Sequence, residues 1–198
     1  MKIKLLFLFL ALTVSTYAQK PAARIFYGFS DAELLENEEL DGSPANDIEN
    51  HYEFGAELSI PLSKKISLIA GLTYSKTTIK IQNVFYYNEI NNKSSMPHFR
   101  YNDLEILSIP ILLEFNFWNY FFLNAGPVLS FELNDPDIEY SQNGIGYHLG
   151  FGGQYNVGDF FIFANPYFKQ FATIDFKDEM LDYNLSQFGA HIGIGYQF

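Results

Sequence analysis

Apolar and polar residues alternate one by one through most of this chain. In 52–62, Tyr52, Phe54, Ala56, Leu58, Ile60 and Leu62 fall on one face, and Glu53, Gly55, Glu57 and Ser59 on the other. A period of two predicts a β-strand with two unlike faces. After Ser63-Lys64-Lys65 the pattern resumes with Ile66, Leu68, Ala70, Leu72 and Tyr74. It returns with Leu107, Ile109, Ile111, Leu113 and Phe115 against Ser108, Pro110, Leu112 and Glu114. Beyond a turn near Asn116–Asn119, Phe121, Leu123, Ala125, Leu129 and Phe131 oppose Tyr120, Phe122, Asn124, Gly126 and Ser130. Ile145, Tyr147, Leu149, Phe151 and Tyr155 oppose Gly146, His148, Gly150, Gly152 and Gln154. The run 160–171 is apolar on both faces, with Asn165 and Lys169 on the inner one. The last run sets Phe188, Ala190, Ile192, Ile194, Tyr196 and Phe198 against Gln187, Gly189, His191, Gly193, Gly195 and Gln197. With a weaker first strand near 23–30, the expected count is eight.

The connections add an independent signal. Those after strands two, four and six are expected to be tight turns. Those after strands one, three, five and seven are expected to be long, as at Asp31–Asn50 and Asn83–Asp103. An even number of strands with short and long connections in strict alternation predicts an all-β fold, an eight-stranded antiparallel up-and-down transmembrane β-barrel with short periplasmic turns and long external loops. Alternation alone also fits a soluble barrel with its apolar face inside. Two features favour lipid outside. The polar face is rich in Gly, Ser, Asn, Gln and His rather than Lys and Glu, and aromatic residues recur at the strand ends (Tyr52, Tyr74, Phe115, Phe131, Tyr155, Tyr196, Phe198), where interfacial girdles would lie.

Composition fits this reading. The chain is 48% hydrophobic and 18% aromatic, with 21 Phe, 14 Tyr and one Trp, yet its mean hydropathy is only −0.03. Past the N-terminus there is no apolar stretch of the roughly 20 residues that a transmembrane helix needs. At the N-terminus, Met1-Lys2-Ile3-Lys4, the apolar run from Leu5 to Val14 and the small residue Ala18 have the layout of a secretory signal. The expected organisation is therefore a cleaved signal over 1–18 and a barrel domain over 19–198. Cysteine is absent, which excludes disulfides, thiolate metal sites, a Cys nucleophile and an N-terminal lipid on Cys. The formal charge is −11, and without Lys2 and Lys4 ten cations would face 23 acids. So acidic a chain argues against nucleic acid or an anionic lipid surface as the main partner.

The chain stops on Phe198, with Tyr196 and Ile194 behind it at alternate positions. This resembles the terminal strand signal that the barrel-assembly machinery of the outer membrane reads. Leu107-Ser108-Ile109-Pro110-Ile111-Leu112-Leu113, then Glu114 and Phe115, resembles the Leu-Glu-Ile-Pro-Leu-Leu-Leu strand of the PorT-like outer-membrane β-barrel family of Bacteroidetes-type bacteria. Leu123-Asn124-Ala125-Gly126-Pro127 resembles that family's next strand. Ser108 departs from it, standing where the family usually carries Glu. The resemblance implies a fold and a place in the cell outer membrane, and no reaction.

Candidate chemistry is sparse. The acidic external loop holds Asp31, Glu33, Glu36, Glu38, Glu39, Asp41, Asp47 and Glu49, but 41–47 lacks the alternating ligands and closing Glu of a calcium loop, so a solvated surface is expected. Asp135-Pro136-Asp137 reads the same way. Glu53, Glu57, Glu114, His148, Lys169 and His191 should point inward. They could form a relay, but an eight-stranded lumen is only wide enough for side chains, and a structural network of ion pairs and hydrogen bonds is favoured. Inner-face glycines leave room for Tyr120, Phe122 and Tyr167 to reach across. No nucleophile, phosphate-loop, metal or cofactor motif is marked by spacing, and His51 and His98 are the rim histidines available to an outer-membrane enzyme. Three functions therefore rank in order: a structural or interaction barrel offering its loops to a protein partner, a narrow pore, and a rim-site enzyme.

Overall fold

The computed structural model describes residues 20–36, 45–82, 87–88, 93–94, 99–118, 120–134, 142–176 and 183–198. The expected signal segment 1–18 lies outside them. Eight strands close into one antiparallel barrel: β1 (Ala22–Glu36), β2 (Ala45–Pro61), β3 (Ile66–Gln82), β4 (Phe99–Phe117), β5 (Phe121–Glu132), β6 (Gly144–Val157), β7 (Phe160–Asp175) and β8 (Tyr183–Gln197). Each strand pairs with its neighbours in sequence, and β1 pairs with β8 to shut the cylinder, Ala22 opposite Gln197 and Tyr27 opposite Ile192. Closure leaves no long sheet edge inside a bilayer, where unpaired backbone groups are prohibitively costly. A two-residue ladder, Tyr87–Asn88 with Lys93–Ser94, lies in the connection between β3 and β4.

The alternation maps onto the two faces of the wall. Ile25, Tyr27, Phe29, Phe54, Leu58, Leu72, Leu113, Leu149, Ile162, Ile192 and Ile194 are exposed on the outside, while Arg24, Phe26, Glu53, Ser108, Glu114, Asn124 and His191 are buried within. Leu58 is 57% exposed and Glu53 0%, the reverse of a water-soluble protein. On β2 the outer apolar row runs from Tyr52 to Ile60. At about 3.3 Å per residue and a tilt of roughly 40°, that row makes a band about 20–25 Å tall, matching the lipid-facing band of outer-membrane barrels.

Aromatic residues border the band at both ends. At the short-turn end, Phe117 stacks on Phe121 at 6.1 Å, Phe121 on Phe151 at 6.1 Å, and Tyr196 meets Phe160 at 4.9 Å. At the other end, Phe54 meets Tyr74 at 5.2 Å and Tyr147 meets Phe168 at 5.9 Å.

The turns at 62–65, 118–120 and 158–159 are short, and the other connections span 37–44, 83–98, 133–143 and 176–182. The external segments are shorter than expected, because β1 runs on to Glu36, β2 begins at Ala45 and β4 begins at Phe99. The wall rises past the lipid band, where the outer face turns polar and the alternation loses contrast. Inside, Ile79, Leu104, Ile106, Phe171, Ala172 and Leu185 form an apolar cluster, with Ala32 and Ile48 packed against it. Above Phe29 opposite Tyr52, β1 and β2 no longer pair, and each holds only to its other neighbour. A bulge between β6 and β7 shifts the register from Ile145 opposite Ile174 to Tyr147 opposite Gln170. Ala172, in this bulge, has φ 41, a left-handed conformation that costs a non-glycine residue about 1–3 kcal/mol.

Candidate functional site

The inner face is layered from the short-turn end upward. The first layer is an open mouth cavity of about 680 Å³. Its floor is the ion pair of Arg24 on β1 with Glu114 on β4. Arg24 Nη1 donates to Glu114 Oε2 at 2.7 Å and Nη2 to Oε1 at 2.8 Å, with both residues at most 4% exposed. The bidentate fork matches a planar guanidinium to a planar carboxylate, the strongest neutralisation a buried pair can have. Phe122, Phe161 and Phe163 close around it, each ring centroid 5.5–5.6 Å from the guanidinium carbon. Glycines make space for these rings. A Cβ at Gly152 would strike Phe122, one at Gly195 would strike Phe161, and one at Gly193 would strike Phe163.

The second layer centres on Glu53 of β2. Lys169 Nζ and the Tyr167 hydroxyl, both on β7, donate to its two oxygens, and Nε2 of His191 on β8 lies 2.5 Å from Oε1. Tyr167 packs on His191 at 4.2 Å and on His148 at 5.2 Å, and His148 Nε2 lies 3.2 Å from Asn124 Oδ1. Gly28 supplies the clearance, since a Cβ there would meet both Glu53 and His191. Glu57 points inward beside this layer and lines a void of about 10 Å³ with Thr73, Ser108, His148, Lys169 and His191, room for about one water. A charge that is buried must be paired and hydrogen-bonded, and here Lys169, Tyr167 and His191 converge on the Glu53 carboxylate.

Higher still, His51 Nδ1 lies 2.7 Å from the Thr77 hydroxyl, and Gln187 Nε2 lies 3.0 Å from His51 Nε2. Above these polar side chains the apolar cluster around Phe171 and Leu185 fills the barrel. The mouth cavity and the void beside Glu57 are lined by different side chains.

All six residues expected to face the lumen do so, but they are not one network. Glu114 belongs to the lower pair, whereas Glu53, Glu57, His148, Lys169 and His191 gather in the middle. Tyr120, expected to reach into the lumen, lies instead in the turn between β4 and β5 and is 55% exposed. His51 is held within the barrel rather than at an open rim, and His98 lies outside the described residues. The same holds for Glu38, Glu39, Asp41, Asp135 and Asp137. Arg24 escaped the sequence reading although its signal was present: with Ile25, Tyr27 and Phe29 facing lipid, parity alone sends Arg24 and Phe26 inward. Of the expected assembly residues, Ile194, Tyr196 and Phe198 all face outward, and the Phe198 amide donates to the Pro21 carbonyl at 2.9 Å.

Among described residues, no cluster of three or more His, Cys, Asp or Glu is arranged to hold a metal ion. The mouth is bordered by Lys20, Lys64 and Lys65. Lys20 lies before β1 and donates to Asp159 at 2.6 Å, and that bond raises its pKa.

No family model matches the sequence, and no curated protein matches it either. Solved structures do match in shape. The crystal structure of the outer membrane protein OprG from Pseudomonas aeruginosa aligns over 92% of this chain and 97% of its own, with a TM-score of 0.53 at 10% identity. The outer membrane protein AlkL, solved by solid-state NMR in DMPC lipid bilayers, aligns over 93% of this chain and 92% of its own, with a TM-score of 0.54 at 14% identity. At such identities the likeness speaks for the fold. With the lipid-facing band and the alternating loop lengths, it makes this chain a closed eight-stranded β-barrel of the outer-membrane type.

Proposed function

We propose that this chain is an outer-membrane interaction barrel, a rigid filled scaffold that offers its acidic external end to a protein partner. The observation that carries the reading is the occupied lumen: a bidentate ion pair, a second charged layer and an apolar cap stand in series. Such an interior supports rigidity rather than passage. Asp31 and Glu33 stand exposed on the outer face of β1 above the lipid band, where they favour a basic partner surface. Loops held by a rigid wall are the usual division between recognition surface and scaffold. The resemblance of 107–115 and 123–127 to the PorT-like family implies a fold and a place in the outer membrane and assigns no reaction. The reading includes export by the 1–18 signal and insertion by the barrel-assembly machinery, with Ile194, Tyr196 and Phe198 as the strand it reads.

Replacing 37–44 or 83–98 by short Gly-Ser links should leave a folded barrel that no longer captures its partner from cell envelopes. Planar-bilayer recording tests the narrow pore. Sustained conductance that responds to Glu53→Gln or Glu114→Gln would replace the interaction barrel with a channel, and silence would support it.

A further inference from the structure

The acidity of this chain is not evenly spread. Of its 12 Lys and Arg, two precede the barrel at Lys2 and Lys4, and four (Lys20, Arg24, Lys64 and Lys65) line the short-turn mouth. Against them stand two carboxylates, Glu114 engaged by Arg24 and, at the edge, Asp159 engaged by Lys20. In a protein with a formal charge of −11, this concave end sets four cations against two carboxylates. Low-dielectric walls focus the field of such an excess toward the cavity.

The cavity is also built to hold a solute. Its volume of about 680 Å³ lies within the roughly 300–1,000 Å³ of small-molecule sites. The wall offers side-chain amides (Asn116, Gln154, Asn156, Gln197) and hydroxyls (Ser59, Ser67), which make directional hydrogen bonds without adding charge. At the floor, Arg24 commits its two terminal nitrogens to Glu114, while its Nε is buried and has no hydrogen-bond partner. A buried donor of this kind is normally matched by an acceptor. These features converge on one ligand chemistry, a small hydrophilic molecule that carries an oxyanion and many hydroxyl or amide groups.

We propose that the short-turn mouth, on the periplasmic side, is a binding site for a small polar anion, a carboxylate or phosphate ester of roughly sugar size. Lys64 and Lys65 take the oxyanion, and the amide-lined wall takes the polar body. The ion pair and the Phe cage beneath it form the closed end, so the ligand binds without crossing the barrel. The site lies opposite the acidic end, and its existence does not depend on the partner proposed there.

Trp118, the chain's single Trp, lines this cavity and provides an internal probe. Folded protein in detergent would be titrated with citrate, glucose 6-phosphate, inorganic phosphate and, as the neutral control, maltose, while Trp118 emission is followed. The expected result is a saturable change with citrate or glucose 6-phosphate and none with maltose at equal concentration. Citrate alone would identify a carboxylate site, glucose 6-phosphate with inorganic phosphate a phosphate site, and both sets a general oxyanion site. Lys64→Ala/Lys65→Ala should weaken the response about tenfold or more, since charge-assisted hydrogen bonds dominate anion recognition. Lys76→Ala, on the outer wall of β3, should leave it unchanged. A flat titration with all three anions, an equal response to maltose, or an unaltered response in a double variant that keeps the mobility of the folded barrel would each overturn the proposal.

Discussion

Removing one member of the Arg24–Glu114 pair should harm the barrel far more than removing both. In Glu114→Leu the guanidinium stays buried among Phe122, Phe161 and Phe163 without the carboxylate that accepts from both its terminal nitrogens. Two charge-assisted hydrogen bonds are lost, at about 1.5–3 kcal/mol each. The cation–π contacts exist before and after the change, so they offset none of that loss. The expected cost is about 3–5 kcal/mol, the usual penalty for stranding one buried charge. Arg24→Met strands the Glu114 carboxylate in the same way, because the Asn116 amide is 3.4 Å from it and can donate only weakly. In Arg24→Met/Glu114→Leu both charges are gone and a thioether sits among three rings, a contact worth about 0.3–1.5 kcal/mol for sulfur on an aromatic. The double variant should then lie within about 2 kcal/mol of the parent. The coupling energy between the sites should exceed about 3 kcal/mol. Reversible urea unfolding in vesicles of one fixed lipid composition, read by Trp118 emission and by gel mobility, would measure all four proteins. If the double variant loses as much as the two single variants together, the pair is not the unit of stability and the layered account of the lumen is wrong.

Ile192 is 56% exposed in the lipid band, so Ile192→Lys should cost about 2–4 kcal/mol, and Asn156→Lys at the open mouth less than about 1 kcal/mol; equal losses in folding yield would mean the faces are reversed. Gln187 would be a poor inner-face control, being 1% exposed beside His51. At Gly146 a Cβ would run into the backbone carbonyl of Gln170, whereas at Gly153 the nearest atom is 3.5 Å away. Gly146→Ala should therefore destabilise by about 1–3 kcal/mol while Gly153→Ala stays near neutral, and similar urea midpoints for the two would contradict the bulge geometry. The mature protein should fractionate with outer membranes and migrate faster unheated than boiled. Recovery as a soluble periplasmic protein with one mobility would rule out the barrel in lipid.

Strand identity, the closed antiparallel order and, apart from Arg24 and Tyr120, the inward set were legible because lipid imposes a strict period of two. Leu107 to Phe115 against Ser108 to Glu114 is the plainest case, and the observed β4 keeps that division. The strand ends were not legible. Beyond Tyr52 and Tyr74 the outer face meets water, so Asn50, Lys76 and Thr78 replace apolar residues and the contrast disappears while the pairing continues. Which inner groups would meet was hidden for a different reason. Parity assigns Glu53, Glu114 and Lys169 to one face, but the partner of each is fixed by stagger around the cylinder. Glu114 therefore finds Arg24, 90 positions away in sequence, and Glu53 finds Lys169, 116 positions away.

The same stagger turns an average into a gradient. A net charge of −11 argued against nucleic acid or an anionic lipid surface as the main partner, and composition sums over the whole chain. Topology sorts the charges by end. Lys64 and Lys65 stand in the turn 62–65 and Arg24 near the start of β1, with Glu114 and Asp159 the carboxylates engaged by cations at that end. Asp31 and Glu33 ride on strands that rise out of the band at the opposite end. A filled lumen makes this sorting consequential. The Arg24–Glu114 pair and the Glu53 layer stand between the two ends, so in the proposed interaction barrel each end would present its own field to its own compartment. Recognition at one end then needs no conformational signal through the wall, and a ligand or partner can be sought at each end separately.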